Sequence, residues 1–420
     1  MKRLLSNKGY LTLMSAQAIS SIGDWLSIVA IITLVGLKWE ASPFEVSFVF
    51  LCLAVPMALF GPVAGMVADR FSRKALMIIS DVVRAALILV LTIASSLWMV
   101  YATLLTIGIF SAVFIPAKNG KLKEIVPQED MKGAMSITSM IDSSTKILGP
   151  LISGLLVTMV GAQQVFIIDS ATFLISAVIL LFIPNAISLE SEESDEGEGS
   201  FKKEFVLGLS FLKSSRFLMT GLLLMGLSLL ILQSADSQLI VLLRELTNAS
   251  PDLFGYLVTG SGIGMFLAGF LLAKKTDYVP YLLMLFGVFG IGASFGVMGL
   301  LTHYDLGYSS LWAPGLGFTA GFSASLILVP FQATVQVTTP VHMTGRVFGV
   351  INSVLTSATI IGPLLGGWLA TVIGVIPTFT ITAGLLVLVA LIGRLARRKV
   401  EGGEAHGAKG KRGTPEAKTS

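Results

Sequence analysis

Charge is what this sequence of 420 residues has least of, with Asp, Glu, Lys and Arg together at 13%. A soluble globular domain carries about 25%, so an ordinary water-soluble globule is excluded. Cysteine is nearly absent: Cys52 stands alone in an apolar run, which leaves no intrachain disulfide framework and no cysteine metal site. The three histidines, His303, His342 and His406, are scattered and form no ligand cluster. No GxxxxGK(S/T) phosphate loop, no HExxH and no Cys/His ligand spacing occurs, so ATP hydrolysis and metal chemistry have no residues to run them. No enzyme activity, cofactor or metal is therefore expected. A basic soluble domain is missing as well. The bases behind the formal charge of +4 are dispersed over short loops, which is a topology signal and excludes a nucleic-acid partner. The glycine-rich run at 260–264 lacks the soluble strand a nucleotide loop needs and reads as helix packing.

What is abundant is apolar: 54% of residues are hydrophobic and the mean hydropathy is +0.84. Twelve apolar segments, each near the roughly 20 residues that span a bilayer, fall at 10–35, 44–67, 75–96, 98–117, 133–158, 163–183, 217–243, 252–273, 280–301, 309–332, 345–370 and 374–396. They predict an all-α polytopic membrane protein of twelve transmembrane helices, multi-pass in the cell membrane. The basic N-terminus runs into its first apolar segment with no small-residue cleavage site, so it reads as a first span and not as a removed signal peptide. With that end in the cytoplasm, the cytoplasmic loops collect Lys2, Arg3, Lys8, Arg70, Arg73, Lys74, Lys118, Lys121, Lys123, Lys132, Lys202, Lys203, Lys213, Arg216, Lys274, Lys275 and Arg346. The outer loops hold Lys38 and Arg244 alone. The asymmetry places both termini in the cytoplasm.

The two halves repeat one another. Ala41, Ser42 and Pro43 recur as Ala249, Ser250 and Pro251, Gly61 as Gly269 and Asp69 as Asp277, all 208 residues on. Pro127, Gly149, Pro150, Gly154 and Gly161 recur 213 residues on, as Pro340, Gly362, Pro363, Gly367 and Gly374. The expected organisation is two pseudo-symmetric six-helix halves, 1–185 and 217–396, with a cavity between them near the midplane. A cytoplasmic linker, 186–216, contains six acids between Glu190 and Glu198, too charged to fold. Beyond it Phe201, Phe205, Gly208 and Leu212 share one helical face, with Lys202, Lys203 and Lys213 elsewhere on the same turns, the pattern of a helix lying in the membrane interface. The basic tail at 397–420 is expected to be disordered.

Ionisable side chains inside spans cost about 3 kcal/mol each on insertion scales, which makes them functional candidates. Asp24 lies at mid-span on a stripe with Gln17, Ser20, Ser21 and Ser27, whose three- and four-residue steps share one face. The stripe predicts a cavity lining, with Gln17 and Ser20 as substrate contacts and Asp24 carrying a coupling proton; the competing reading is a structural carboxyl bonded to serines. Asp142 and Lys146, four apart, can pair along the fifth span, either as a proton or substrate site or as a locked ion pair. Asp236, beside Gln233, is a further proton candidate, and Gln233 a cavity candidate. Asp81 and Arg84 are expected to form a structural pair and Asp169 to bond a neighbouring helix. Gly149, Pro150 and Gly154, with their mates Gly362, Pro363 and Gly367, predict kinked, closely packed helices.

Between the second and third spans, Gly65, Asp69, Arg70, Arg73 and Lys74 resemble the GxxxD(R/K)xx(R/K) loop motif of the major facilitator superfamily. Residues 10–185 as a whole are similar to its macrolide-efflux and siderophore-exporter group of 12-span drug:proton antiporters, through Gln17, Ser20, Gly23, Asp24, Pro56, Gly61, Gly65, Ala68, Asp69, Asp81, Arg84, Pro116, Gly149, Pro150, Gly154 and Asp169. The resemblance implies a secondary transporter that exports a small amphipathic compound against inward proton flow, as a monomer. It also implies that Asp69 holds the cytoplasmic mouth by facing the start of the eleventh span near Thr344–Val347. A siderophore exporter, a lysophospholipid transporter and a membrane sensor without transport are the alternatives.

Overall fold

Apolar periodicity without turn residues leaves the backbone no way to satisfy its polar groups in lipid except as helix, and helices are what the chain forms. The computed structural model describes residues 2–184, 201–247, 250, 252–274, 278–340 and 343–410, with no strand among them. A short α1 (Lys2–Ser6) leads into α2 (Lys8–Thr33), α3 (Pro43–Arg70), α4 (Arg73–Thr92), α5 (Leu97–Ile125), α6 (Met131–Val160) and α7 (Ala162–Leu181). After the linker come α8 (Phe201–Ser214), α9 (Arg216–Asp236), α10 (Leu239–Arg244), α11 (Leu253–Lys274), α12 (Pro280–His303), α13 (Ser309–Thr338), α14 (Thr344–Ile373) and α15 (Val375–Gly410). Eleven described segments are long and apolar enough to cross a bilayer. Helix α6, of 30 residues, supplies the twelfth crossing, and α9 and α10 share one. Trp98, Tyr304 and Tyr308 are strongly exposed at the end opposite the N-terminus, where aromatic side chains mark a membrane interface.

The repeat seen in the sequence is a repeat of packing. Helices α6 and α14 end at Gly161 (φ 81°, ψ 158°) and Gly374 (φ 91°, ψ 159°), residues 213 apart in the same conformation. Gly149 packs on Trp25 of α2, and its mate Gly362 packs on Gln233 of α9, 208 residues beyond Trp25. Gly154 meets Gly255 and Thr259 of α11, while Gly367 meets Ser47 and Pro43 of α3; Ser47 and Gly255 are again 208 apart. Small residues thus let backbones approach at equivalent places in both halves. The 260–264 run is a packing seam too: Gly260 and Gly264 lie on the backbone of α13 at Pro314 and Phe318, and Gly317 and Gly321 on that of α11 at Leu257 and Ser261.

The glycine conformation at 161 and 374 belongs to a region essentially closed to residues with a Cβ. Gly161→Ala and Gly374→Ala are therefore each expected to cost about 1 to 3 kcal/mol as a lowered midpoint of thermal unfolding in detergent. Gly384→Ala is the control: it lies within α15 with open space at its Cβ position and should be neutral or mildly stabilising. Equal effects at all three positions would refute the backbone explanation.

Three features differ from expectation. Helix α8 turns its Gly208 and Leu212 face inward: Gly208 meets the backbone of Arg346 and the side chain of Val350 in α14, and Leu212 is fully buried. That face packs on protein, whereas Val206 and Leu207 are exposed. The seventh crossing is broken, because Ser237 and Gln238 leave the helix between α9 and α10. Helix α15 continues to Gly410, past 397 where a disordered tail was expected, since helical backbone continues where hydropathy stops. The acidic run at 190–198, Asp277 and residues 411–420 lie outside the described residues.

The halves meet at the end away from the N-terminus. There Arg244 donates to the Gly36 carbonyl at 3.1 Å and Ser47 to the Pro363 carbonyl at 2.6 Å. Gly262 of α11 lies on Leu151 of α6. Gly65 of α3 and Gly349 of α14 have open space at their Cβ positions, while Gly269 of α11 meets Ile147 of α6. Hydrogen bonds join the halves at the far end.

Candidate functional site

Asp81 and Arg84 are one turn apart on α4 and share a face. Arg84 is 3% exposed and Asp81 not at all; the guanidinium pairs with the Asp81 carboxylate. The second Asp81 oxygen accepts the Ser176 hydroxyl of α7 at 2.6 Å. Two aromatic faces flank the cation, Phe114 of α5 at 4.8 Å and Phe173 of α7 at 4.3 Å, an electrostatic attraction that strengthens where water is excluded. Arg84 also reaches the Asp24 carboxylate of α2 at 3.5 Å. Asp24 differs from the other two members of this triad in having a side chain that is 52% exposed. The group is a buried cation held between a buried acid and one that opens onto free space.

A second buried acid completes the polar seam. Asp169 of α7 is fully buried, accepts the Ser27 hydroxyl of α2 and sits 3.3 Å from the Thr172 hydroxyl. Gly23 makes this possible, because a Cβ there would collide with Asp169 and Thr172. Asp169 therefore bonds a neighbouring helix, as its position suggested. Asp24 does not bond the serines of its stripe; its partner comes from a helix 60 residues away. The rest of the stripe points elsewhere: Gln17 and Ser20 are each 3% exposed, and the Ser20 hydroxyl is spent on the Gln17 carbonyl. In this conformation neither lines open space, because the faces of α2 beside α6 and α7 are packed.

In the second half Asp236 is exposed at the C-terminal end of α9. Gly221 of α9 packs on Phe331 of α13, and Gly226 on Val354 of α14. At 100° per residue Asp236 falls between those two directions and so faces the gap between α13 and α14. No base pairs with it among the described residues. Gln233 is half-buried and lies against Gly362. The side chains of Asp69, Asp142 and Lys146 lie outside the described residues. The bases of the loop motif divide their work. Arg73 pairs with Glu124 at 2.9 Å and donates to the Gly120 carbonyl, while Lys121 pairs with the same Glu124 at 2.8 Å. Lys74 donates to the Leu181 and Ile183 carbonyls at 2.7 Å each, closing the C-terminus of α7 where a cation is favoured. Arg70 is exposed. The loop is thus bound to the ends of α5 and α7 within its own half. Sequence reasoning missed the union of Arg84 with Asp24, since a contact between distant helices leaves no spacing to read.

Comparison with known proteins follows the same lines. The Major Facilitator Superfamily profile matches residues 13–359 and 237–419. An uncharacterized MFS-type transporter of Bacillus subtilis, YfiS, is 37% identical over 398 residues, covering 94% of this chain and 95% of its own. Macrolide efflux protein A of Streptococcus pyogenes is 25% identical over 389 residues, covering 91% and 94%. Among solved structures the fold is similar to that of the nucleoside transporter NupG, with a TM-score of 0.68 at 12% identity and 92% and 99% of the two chains covered. It is also similar to a bacterial homologue of the human lysosomal transporter Spinster in an inward-facing, unoccupied conformation, at 0.63, 16% identity and 93% and 96%. With its helical repeat, its membrane-length helices and a profile match across nearly the whole chain, the protein belongs to the Major Facilitator Superfamily of membrane transporters.

Proposed function

We propose that the protein exports a small amphipathic compound in exchange for protons, by rocking its halves so that a central site opens to either side in turn. The observation that carries this reading is the placement of Asp24, open to free space yet joined at 3.5 Å to the otherwise buried Arg84–Asp81 pair. A proton arriving on Asp24 removes one of the two negative partners of Arg84 and leaves the cation to Asp81. Proton occupancy at an exposed atom is thereby converted into a change of force between α2 and α4, which is what coupling requires. The similarity to macrolide efflux protein A supports an amphipathic drug-like substrate. The test is purified protein in liposomes under an imposed pH gradient, offered macrolides, lipophilic dyes, siderophores and lysophospholipids. Uphill movement of a macrolide or dye supports the reading. Movement of a siderophore or lysophospholipid alone would replace the substrate class, and no gradient-driven movement would leave a sensor.

In this reading the mouth on the N-terminal side is cytoplasmic and the halves are 1–185 and 217–396. Single cysteines introduced at Asp195 and Gly410 in a Cys52→Ser background should resist an impermeant maleimide in intact cells, while one at Trp98 should react. Strong labelling at Asp195 or Gly410 would reverse the topology.

A further inference from the structure

Where the two halves touch at the outer mouth, the contact contains an amide bridge. Gln238, in the break between α9 and α10, is fully buried, as is Ser47 of α3. The Gln238 amide nitrogen donates to the Ser47 hydroxyl at 2.9 Å and to the Pro43 carbonyl at 3.2 Å. Ser47 in turn donates to the Pro363 carbonyl of α14 at 2.6 Å. The chain of bonds passes from the second half to the first and back. A carbonyl can only accept, so the nitrogen side of the amide must face Pro43, and the Gln238 Oε1 is left buried without a partner among the described residues. Small residues make room for the bridge, since Gly366 lies on Ser234 and Gly367 on Ser47.

At the equivalent seam between α6 and α11 the described side chains show no such bridge at the matching positions. Gly255 stands where the repeat puts Ser47, and the hydroxyls of Thr158 and Thr259 are spent within their own helices, on the Gly154 and Gly255 carbonyls at 2.8 Å each. Among the described residues, one seam is joined by hydrogen bonds across the halves and the other by close glycine packing. We infer that Gln238 is the latch of the outer mouth, a positioning residue that holds the protein closed to the outside through Ser47 and the Pro43 and Pro363 carbonyls. Opening that mouth breaks the donated bonds but admits water to Oε1, relieving an unsatisfied acceptor. The two effects oppose each other, which keeps the latch weak enough to open in every cycle.

The inference rests on the alternating-access reading but is tested by distances and not by transport, so the two fail independently. Spin labels at Lys38 and Glu245, exposed residues on opposite sides of the outer mouth, report its width by pulsed EPR in full-length protein carrying Cys52→Ser. Interhelical hydrogen bonds in membranes average about 0.6 kcal/mol, near threefold in population. Ser47→Ala should therefore raise the ratio of wide to narrow distances about threefold, and Gln238→Leu, which removes the two bonds donated across the halves, about threefold to tenfold. Thr259→Val, at the glycine seam, should leave the ratio unchanged. Unaltered distributions in Ser47→Ala and Gln238→Leu would overturn the latch, as would an equal shift in Thr259→Val. If Gln238→Leu does not fold, Ser47→Ala decides by itself.

Discussion

In liposomes bearing an imposed pH gradient, Asp24→Asn should bring uphill export down to the level of protein-free vesicles while leaving downhill exchange of substrate intact. The argument is electrostatic and local. Asn keeps the size of the side chain and its place beside Arg84 at 3.5 Å, but it carries no charge and takes up no proton. It therefore imitates the protonated carboxyl permanently, with Arg84 left to Asp81 throughout the cycle. The halves can still rock, so substrate can still equilibrate, but the step that ties rocking to proton movement is gone. Retention of downhill exchange separates lost coupling from lost fold. Two other acids compete for the role: Asp236, which faces the gap between α13 and α14, and Asp142 on α6. Wild-type uphill export by Asp24→Asn, together with its loss in Asp142→Asn or Asp236→Asn, would move the coupling site to that helix.

The largest loss of stability is expected at Arg84. Replacing it by Met keeps much of the volume between Phe114 and Phe173 but strands Asp81, which has no exposed surface and keeps only the Ser176 hydroxyl as partner. Removing one member of a buried ion pair costs about 3 to 5 kcal/mol, chiefly because the other charge stays behind without compensation. Arg84→Met should thus sharply lower the midpoint of thermal unfolding in detergent and the yield of monodisperse protein. The same principle predicts rescue, because a buried pair contributes little net stability over neutral groups of similar shape. The double variant Asp81→Asn with Arg84→Met should recover most of the loss. A double variant no more stable than Arg84→Met would mean that Arg84 acts through packing against the two rings and not through charge. Asp24→Asn should cost far less than Arg84→Met, since Asp24 is half exposed and Arg84 keeps Asp81.

Much of this molecule is legible one residue at a time. Lipid cannot hydrogen-bond a backbone, so an apolar run of sufficient length must be helical, and counting such runs yields the twelve crossings and their order. The repeat is legible for a similar reason: Gly161 and Gly374 occupy a conformation closed to other residues, and Gly149, Gly154, Gly362 and Gly367 stand where helices touch, so sequence identity at those places records a steric demand. Helix ends were less legible. Helix α5 runs to Ile125 and α13 to Thr338, beyond the expected 117 and 332, because hydropathy registers the edge of the hydrocarbon while the helix continues into polar surroundings. The break at Ser237 and Gln238 left no mark, as neither residue is a helix breaker by itself.

What the sequence by itself determined is the class of the protein: helices that must cross a membrane, their number, the doubling of the chain and the few polar residues costly enough inside a bilayer to need a purpose. Which of those residues work together was decided only by the tertiary structure. Asp24 read as a cavity-lining acid or, in the competing reading, as a partner of serines, yet its partner is Arg84 of α4, while Gln17 and Ser20 of the same stripe are packed away. Ser47 has no distinguishing pattern in the sequence and Gln238 only that of a polar neighbour of Asp236, and they join α9, α3 and α14 at the outer mouth. The reason is that periodicity reports the face a side chain occupies but not the helix opposite that face. That choice is made by the packing of α7 on α2 at Gly23, and of α9 and α3 on α14 at Gly366 and Gly367, where close backbone approach brings distant polar atoms within bonding distance.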